Sequence, residues 1–235
     1  MIRSPIRDGL PRDIVRGLFG AGGAAPAPPP DPSLYFSDAF NNTTGAHITV
    51  AEGTWSPTVG PATGGYTDKV DLGAGTDAIF RVNYVLDRLE LNSPSGTDSA
   101  YIQYLFGETL NLLGLDWKWQ ASYYPTSGYG NGGNRCHMNW TIGINGTLST
   151  TQVECVHPGG NTVVTCPATT SGVLSNRQVT WDGANIRYYV SDTLVFTFPH
   201  TTAINLSYIY FSGTTFGTVR PAWDEMTLWI NGLRP

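Results

Sequence analysis

The stretch DWKWQASYY, Asp116–Tyr124, decides the fold class of this chain. Large apolar residues alternate in it with polar ones, and successive side chains of a β-strand point to opposite faces of a sheet. Trp117, Trp119, Ala121 and Tyr123 therefore share one face. This period of two predicts a strand with one buried face and one solvated face.

The same alternation recurs along most of the chain. The residues that share a face in the other predicted strands are Ala78, Phe80, Val82, Tyr84 and Leu86; Ala100, Ile102, Tyr104 and Phe106; Cys136, Met138, Trp140, Ile142 and Ile144; Ile204, Leu206, Tyr208 and Tyr210; and Met226, Leu228 and Ile230. Because they lie in predicted strands, we expect five tryptophans in the core: Trp117, Trp119, Trp140, Trp181 and Trp229.

Turn-forming residues separate these strands. Such clusters occur at Pro94–Gly96, Gly130–Gly133, Asn145–Gly146, Pro158–Gly160 and Asp182–Gly183. Asn-Gly and Asp-Gly adopt the positive φ angles that tight hairpin turns require. Many strands without a long helical pattern predict an all-β sandwich or barrel, with two sheets of about five to seven strands each.

Composition excludes several classes of protein. Only 13% of the 235 residues are charged, which excludes a coiled coil or a long helical bundle. The net charge of −5 argues against a nucleic-acid partner, because phosphates are neutralised by clustered positive charge. Since no apolar run approaches the roughly 18 residues that span a bilayer, we expect no membrane insertion.

The chain is predicted to divide into three parts. Residues 20–32, GAGGAAPAPPPDP, are typical of a linker that buries nothing, and residues 33–235 carry the β pattern. Residues 1–19 are too few to form a core, yet they mix arginines with large apolar side chains, so we favour a docking peptide over a tail without a role. Its docking residues are expected to be Ile2, Arg3, Ile6, Arg7, Leu10, Ile14, Val15, Arg16, Leu18 and Phe19.

Three segments carry a resemblance to a known family. They are SDAFNNTTGAHITVAEGTW, which ends at Trp55, VTWDGANIRYYVSDTLV at Val179–Val195, and WDEMTLWING at Trp223–Gly232. Together they resemble the concanavalin A-like (laminin G-like) jelly-roll superfamily. The resemblance implies a two-sheet antiparallel jelly-roll sandwich over residues 33–235, behind an extended N-terminal arm. One departure is Ser191–Asp192, where the family usually has Asn-Gly or Asp-Gly in its turn.

The N-terminal arm resembles those of tailed-phage virion accessory proteins of the decoration, head-fibre or tail-fibre type. In such proteins a short arginine-containing start anchors the chain to the particle, and a β domain projects outward. The resemblance implies a virion location after assembly in the host cytoplasm, with capsid or tail proteins as partners of residues 1–19.

Catalysis is not expected. Polysaccharide-cleaving enzymes of this fold place two glutamates and an aspartate on one strand face, because one carboxylate attacks while another donates a proton. None of the glutamates lies in a Glu-x-Asp-x-Glu pattern; they are Glu52, Glu90, Glu108, Glu154 and Glu225. The histidines lack zinc-ligand spacing and are expected at the surface or in turns: His47, His137, His157 and His200.

Two further chemistries stay open. Asp68, Asp71 and Asp77 cluster in TDKVDLGAGTD, as calcium ligands or as solvated loop carboxylates, so calcium is the one cofactor considered. Cys155 and Cys166 either bridge a hairpin or, as we favour, remain reduced.

The strongest functional signal is aromatic. Tyr123, Tyr124, Tyr129 and Asn131 lie in SYYPTSGYGNGGN, a composition that suits recognition surfaces because tyrosine loses little entropy on binding. These tyrosines either stack on sugar rings or cover the domain's own edge. We therefore expect a non-enzymatic, homo-oligomeric virion protein that binds a host surface glycan. The alternatives are a capsid or tail cement protein without glycan binding and, less expected, a polysaccharide-cleaving enzyme.

Overall fold

The computed structural model describes residues 33–40, 57, 59–69, 79–83, 88–92, 99–122, 134–146, 150–170, 172–214 and 222–230. All of its regular elements are β-strands. The described residues include no helix that is long and apolar enough to cross a membrane.

The described residues contain fifteen strands. They are β1 (Ser33–Asp38), β2 (Gly65–Lys69), β3 (Ile79–Asn83), β4 (Arg88–Asn92), β5 (Ser99–Leu112), β6 (Leu115–Ser122), β7 (Asn134–Met138), β8 (Ile142–Gly146), β9 (Gln152–His157), β10 (Gly160–Thr165), β11 (Leu174–Trp181), β12 (Asn185–Val190), β13 (Thr193–Pro199), β14 (Ile204–Thr214) and β15 (Ala222–Ile230).

The strands form two sheets. Sheet A has eight strands in the order β13-β12-β11-β6-β15-β4-β3, with β1 paired to β15 beside β4. Sheet B has seven strands in the order β10-β9-β8-β7-β14-β5-β2. Neighbouring strands pair antiparallel, as in β6 with β11 and in β5 with β14. The predicted all-β, two-sheet antiparallel sandwich is confirmed, with one strand more in sheet A than expected.

The core lies between the sheets and is built by the predicted alternation. Trp117, Trp119 and Ala121 of β6 face inward, as do Ile102 and Tyr104 of β5. The remaining predicted core residues that face the core are Phe106, Cys136, Met138, Ile142, Ile144, Trp181, Ile204, Leu206, Met226, Leu228 and Ile230. Ala78, Tyr84, Leu86 and Tyr123 lie outside the described residues.

One predicted strand is in fact a hairpin. The alternation from Cys136 to Ile144 is interrupted because the chain turns back at Asn139 and Trp140, between β7 and β8. Trp140 therefore lies at the tip with 46% of its surface exposed, and its predicted core position is wrong. The prediction for Trp229 is also wrong, because that side chain is half-buried on the outer face of sheet A.

A second correction concerns β14. The pairing of β14 with β5 is irregular between Leu206 and Tyr208, where β14 advances two residues and β5 advances five. The inward-facing positions of β14 change parity across this irregularity. Ile204 and Leu206 face the core as predicted, but Ile209 and Phe211 replace Tyr208 and Tyr210 there.

The predicted turns have mixed outcomes. Those at Pro158–Gly160 and Asp182–Gly183 are confirmed, and β12 turns into β13 at Ser191–Asp192, the residues that depart from the family pattern. The turn predicted at Asn145–Gly146 is wrong, because both residues lie in β8 and pair with β9.

Buried polar groups change two further predictions. His137 and His157 are not surface residues, since only 4% and 8% of each is exposed. Both lie in central or near-edge strands of sheet B, where neighbouring strands supply their hydrogen-bond partners. The three cysteines are buried free thiols, in agreement with the favoured alternative for Cys155 and Cys166.

Candidate functional site

The outer face of sheet A carries a groove of about 470 Å³. It lies over β6, β11 and β15, with walls from β1 and from the β12–β13 turn. Because the inner faces of these strands bury Trp117, Trp119 and Val179, the alternate positions on each strand must face outward into the groove.

Cross-strand pairing arranges the outward residues of these strands in three rungs with β6 in the middle, of which Lys118, Gln120, Asn176, Gln178 and Thr227 line the groove. Lys118 lies between Gln178 and Thr227. Asp116 lies between Thr180 and Trp229. The third rung places Gln120 between Asn176 and Asp224.

Hydrogen bonds hold the floor of the groove in place. Asp116 accepts a bond of 2.7 Å from Gln178 Nε2 and lies 3.3 Å from Lys118 Nζ. The Lys118 ammonium lies 5.6 Å from the centre of the Trp229 ring, within cation–π range. The half-buried Trp229 indole thus lies beside the groove, next to Lys118 and opposite Asp116 in the pairing of β15 with β6.

The rims of the groove are also tied to its floor. Gln120 Nε2 donates to Glu225 Oε2 at 2.6 Å, and Asn176 Nδ2 donates to Asp192 Oδ2 at 3.3 Å. Ser191 N–H additionally donates to the Asn176 carbonyl at 2.9 Å. Amide side chains from β6 and β11 therefore position two exposed carboxylates at opposite rims.

Three rim residues adopt positive φ angles that favour glycine. Ser191 and Asp192 have φ of 48° and 61° in the β12–β13 turn, and Glu225 has φ of 46°. Glu225 lies where the pairing of β15 with β6 shifts register between Asp224 and Thr227. Such conformations cost free energy in residues with a Cβ and concentrate at functional sites.

Asp38 lines the groove from the inner side of β1 and is buried. It accepts hydrogen bonds from Tyr66 Oη at 2.7 Å and from Phe40 N at 2.8 Å. Burial raises the pKa of its carboxyl to about 7, and the two hydrogen bonds only partly oppose that rise. Burial likewise raises the pKa of the Tyr66 phenol, and the adjacent Asp38 adds to the effect.

The groove offers binding chemistry of one kind. Its lining presents amides, hydroxyls, the Lys118 ammonium, the buried Arg177 guanidinium and several carboxylates as hydrogen-bond donors and acceptors, and the Trp229 ring lies beside Lys118. On β6 the three outward positions hold Asp116, Lys118 and Gln120, so this strand face contributes a single carboxylate. Asp116 is already engaged by Lys118 and Gln178.

Most sequence-predicted site residues lie outside the described residues. This applies to Tyr123, Tyr124, Tyr129 and Asn131, to the docking residues of 1–19, and to Asp71 and Asp77 of the calcium hypothesis. Asp68 lies in β2. Within the ranges that the structure describes, no group of three or more histidines, cysteines, aspartates or glutamates is arranged to hold a metal.

Sequence reasoning missed the groove residues, although their signal was present. The apolar residues of each alternating stretch predict the core. The polar residues between them point to the other face, where Lys118, Gln120, Asn176 and Gln178 line the groove. Glu225 and Asp192 carry no such signal, because only a bulge and a strained turn place them at the rims.

No family model matches this chain, and no curated protein does. Solved structures do. An endo-β-galactosidase from Clostridium perfringens that releases GlcNAcα1-4Gal aligns with a TM-score of 0.52 and 14% identity, over 88% of this chain. The chain spans 65% of that enzyme's length. The β-glucanase of Bacillus licheniformis aligns with a TM-score of 0.51 and 15% identity, over 85% of this chain and 98% of the glucanase.

The fold is a concanavalin A-like jelly roll. A carbohydrate esterase from a Shiga toxin-encoding bacteriophage is also similar, with a TM-score of 0.49 and 10% identity over 86% of this chain and all of that one. At such identities the likeness concerns the jelly-roll fold alone. The groove of this jelly roll therefore has to be interpreted from its own residues.

Proposed function

We propose that residues 33–235 form a non-enzymatic carbohydrate-binding module. The observation that carries this proposal is the groove on sheet A, lined by Lys118 and by amides of β6 and β11. Trp229 lies beside it on the same outer face, with its ring 5.6 Å from Lys118 Nζ. Sugar rings present an apolar face that stacks on an indole and hydroxyls that bond to amides and carboxylates. Both kinds of group lie within the same three rungs.

Binding rather than cleavage is favoured by the carboxylates. Retaining glycosidases need two carboxyl groups about 5 Å apart, one of them free to attack. On β6 only Asp116 is a carboxylate, and it already bonds Gln178 and Lys118. Glu225 lies at an exposed rim and already accepts a hydrogen bond from Gln120.

The proposed setting is a phage virion. Residues 1–19 would dock on capsid or tail proteins, and residues 20–32 would hold the jelly roll away from the particle to bind a glycan on the host surface. Many copies on one particle would let weak contacts add through avidity. The support is the arginine-containing arm and its Gly/Ala/Pro linker.

Oligomerisation is part of this proposal, with a second copy of the chain as the partner. Among the described strands, β10 and β13 each pair on one side only, and they end sheet B and sheet A on neighbouring edges. Neither GNTVVT nor TLVFTFP contains a charge, while Val163 and Leu194 are about half exposed. The opposite end strands carry Arg81 in β3 and Asp68 with Lys69 in β2. Uncharged edges lack the usual protection against strand pairing.

Glycan binding is tested by calorimetry and a glycan array on the full chain. We expect a double variant Gln120→Ala/Asn176→Ala, and separately Trp229→Ala, to lower affinity at least tenfold while the melting temperature is retained. Asn161→Ala, an exposed amide on β10, is the matched control and should bind as the wild type does. Tyr124→Ala and Tyr129→Ala test the loop predicted from sequence in the same assay.

The virion role is tested with residues 1–32 fused to a fluorescent reporter and mixed with particles that lack this protein. Binding would support the anchor, and imaging would place it on head or tail. If the protein has no glycan affinity and particles are less stable without it, the cement alternative replaces the proposal. Release of reducing ends from a polysaccharide would instead establish an enzyme.

A further inference from the structure

The turn between β7 and β8 has a tryptophan, Trp140, at a position whose positive φ favours glycine. Thr141 N–H donates to the Met138 carbonyl at 2.9 Å, closing a tight turn whose central residues are Asn139 and Trp140. Their φ angles of 47° and 62° are both positive, the geometry for which Asn-Gly is preferred. Trp140 thus occupies the place of the glycine, and a bulky side chain is a marked outlier there.

Asn139 has a structural reason to be in this turn. Its Oδ1 accepts hydrogen bonds from Ser207 N at 3.0 Å and Tyr208 N at 3.1 Å. Its Nδ2 donates to the Asn205 carbonyl at 2.7 Å. The side chain therefore fastens the turn to β14 beside the irregularity, and a glycine after it would complete the turn without strain.

The hydrogen bonds of Asn139 do not explain why a tryptophan occupies position 140. Its ring centre lies 4.0 Å from that of Tyr210, whose own side chain is buried, yet 46% of Trp140 remains exposed. His137 meets the Trp140 ring edge-on at 5.5 Å. The indole therefore rests on a firm aromatic base and presents much of its surface to solvent.

Two other residues with a side chain and a positive φ, Asp192 and Glu225, line the groove, and Ser191 precedes Asp192 in its turn. The fourth, Phe40, is buried in the core. Asn139 and Trp140 complete the set over the described residues, and they lie on sheet B, away from those four. Asn139 is explained by its bonds to β14, so only Trp140 remains, and backbone strain of this kind concentrates at functional sites.

We infer that Trp140 is a stacking platform for a neutral sugar ring, forming a second saccharide site on the outer face of sheet B. This inference rests on the proposed function, because it extends glycan binding to the opposite sheet. The groups that surround the turn are hydroxyls, amides and backbone carbonyls, including Thr141, Asn205 and the Thr109–Ser207 hydroxyl pair at 2.9 Å. Such groups can bond the hydroxyls of a sugar ring.

A bivalent module follows from this placement. A site on each sheet lets one chain contact two branches or two neighbouring chains of a polysaccharide. Linked weak sites then raise the apparent affinity without a new contact.

The test uses the full chain labelled with 5-fluorotryptophan and observed by ¹⁹F NMR, with Trp140→Phe and Trp229→Phe identifying the two resonances. The probes are cellohexaose, chitohexaose and lacto-N-neotetraose, which are neutral oligosaccharides. In a Trp229→Ala background we expect a saturable shift of the Trp140 resonance with at least one probe. Trp140→Gly should abolish that site and leave the melting temperature unchanged or higher, because glycine relieves the turn.

The possible outcomes separate the two proposals. A Trp229 response without a Trp140 response in the wild type would overturn the second site and leave the groove. A Trp140 response without a Trp229 response would overturn the groove proposal alone. If neither resonance moves with any probe, neutral-glycan binding fails at both places. A pronounced loss of melting temperature in Trp140→Gly would overturn the inference by making the indole a structural cover.

Discussion

Tyr66 Oη of sheet B donates a 2.7 Å hydrogen bond to Asp38 Oδ2 of sheet A, joining the two layers beside the groove. The acceptor is a buried carboxyl that also accepts the Phe40 N–H. Its pKa of about 7 means that the folded protein holds a proton that the unfolded chain releases near pH 4. Tyr66, Tyr104 and Asp224 are the titratable neighbours in this environment.

This raised pKa predicts that stability falls as pH rises. Between about pH 4 and 7 the folded state binds more protons than the unfolded state, so the contribution is full below pH 4 and is lost through pH 7. Its size is on the order of 4 kcal/mol. Urea denaturation should give a lower free energy of unfolding at pH 8 than at pH 5, and Asp38→Asn should remove this difference. The same pH dependence of stability in the wild type and in Asp38→Asn would contradict the assignment to Asp38.

Removing the Tyr66 hydroxyl should destabilise the sandwich. Tyr66→Phe leaves the buried Asp38 carboxyl without one donor, which costs about 1–3 kcal/mol, and raises the pKa of Asp38 further. The matched control is Tyr35→Phe, which removes an exposed phenol–carboxylate bond of 3.0 Å to Glu108 and should cost less than about 1 kcal/mol. Similar losses in both variants would show that burial of the acceptor is not the cause.

A change at the Ser191–Asp192 turn should raise stability and weaken glycan binding at the same time. Replacement by Asn-Gly suits the positive φ angles and should raise the free energy of unfolding by about 1 kcal/mol. It also removes the carboxylate that accepts from Asn176 at the groove rim, so affinity for glycan should fall. Denaturation and calorimetry on the same variant check both effects. A variant that is less stable, or that binds as tightly, would contradict the assigned role of the turn.

Gly143 should not tolerate a side chain. A Cβ there would meet the Cys136 carbonyl oxygen and lie 2.6 Å from His137 Cδ2, so Gly143→Ala forces backbone or ring displacement. We expect a loss of about 1–3 kcal/mol in chemical denaturation. Gly65→Ala is the control, since no atom lies within 4 Å of its Cβ position and it should be neutral.

His137 should remain neutral at pH 6 with its proton on Nε2. Asn145 Nδ2 donates to Glu154 Oε2 at 2.7 Å, so Asn145 Oδ1 faces His137 Nε2 and must accept from it. Burial lowers the pKa of His137 to about 4, and its stabilising effect is therefore lost as pH falls from about 6.5 to 4. Long-range ¹H–¹⁵N spectra read the tautomer directly. A protonated ring at pH 6, or a proton on Nδ1, would overturn this hydrogen-bond order.

The candidate site was predictable only in part. Alternation in DWKWQ places Asp116, Lys118 and Gln120 on the face opposite the core tryptophans, which follows from the period of a strand alone. Which strands flank β6 does not follow from that period. The rungs that add Gln178, Thr227 and Trp229 arise from pairing between segments about 60 and 110 residues later in the chain, with the register set by the whole sheet.

The sequence by itself determined the all-β class, the inward faces of β5 and β6 and the turn at Gly183, because each depends on neighbouring residues and local backbone preferences. Tertiary structure decided the rest. The irregular pairing before Tyr208, the reversal at Asn139–Trp140 and the strand position of Asn145 depend on partners far along the chain. In each case hydrogen bonds and core packing between distant strands outweigh local preferences that are worth about 1 kcal/mol or less.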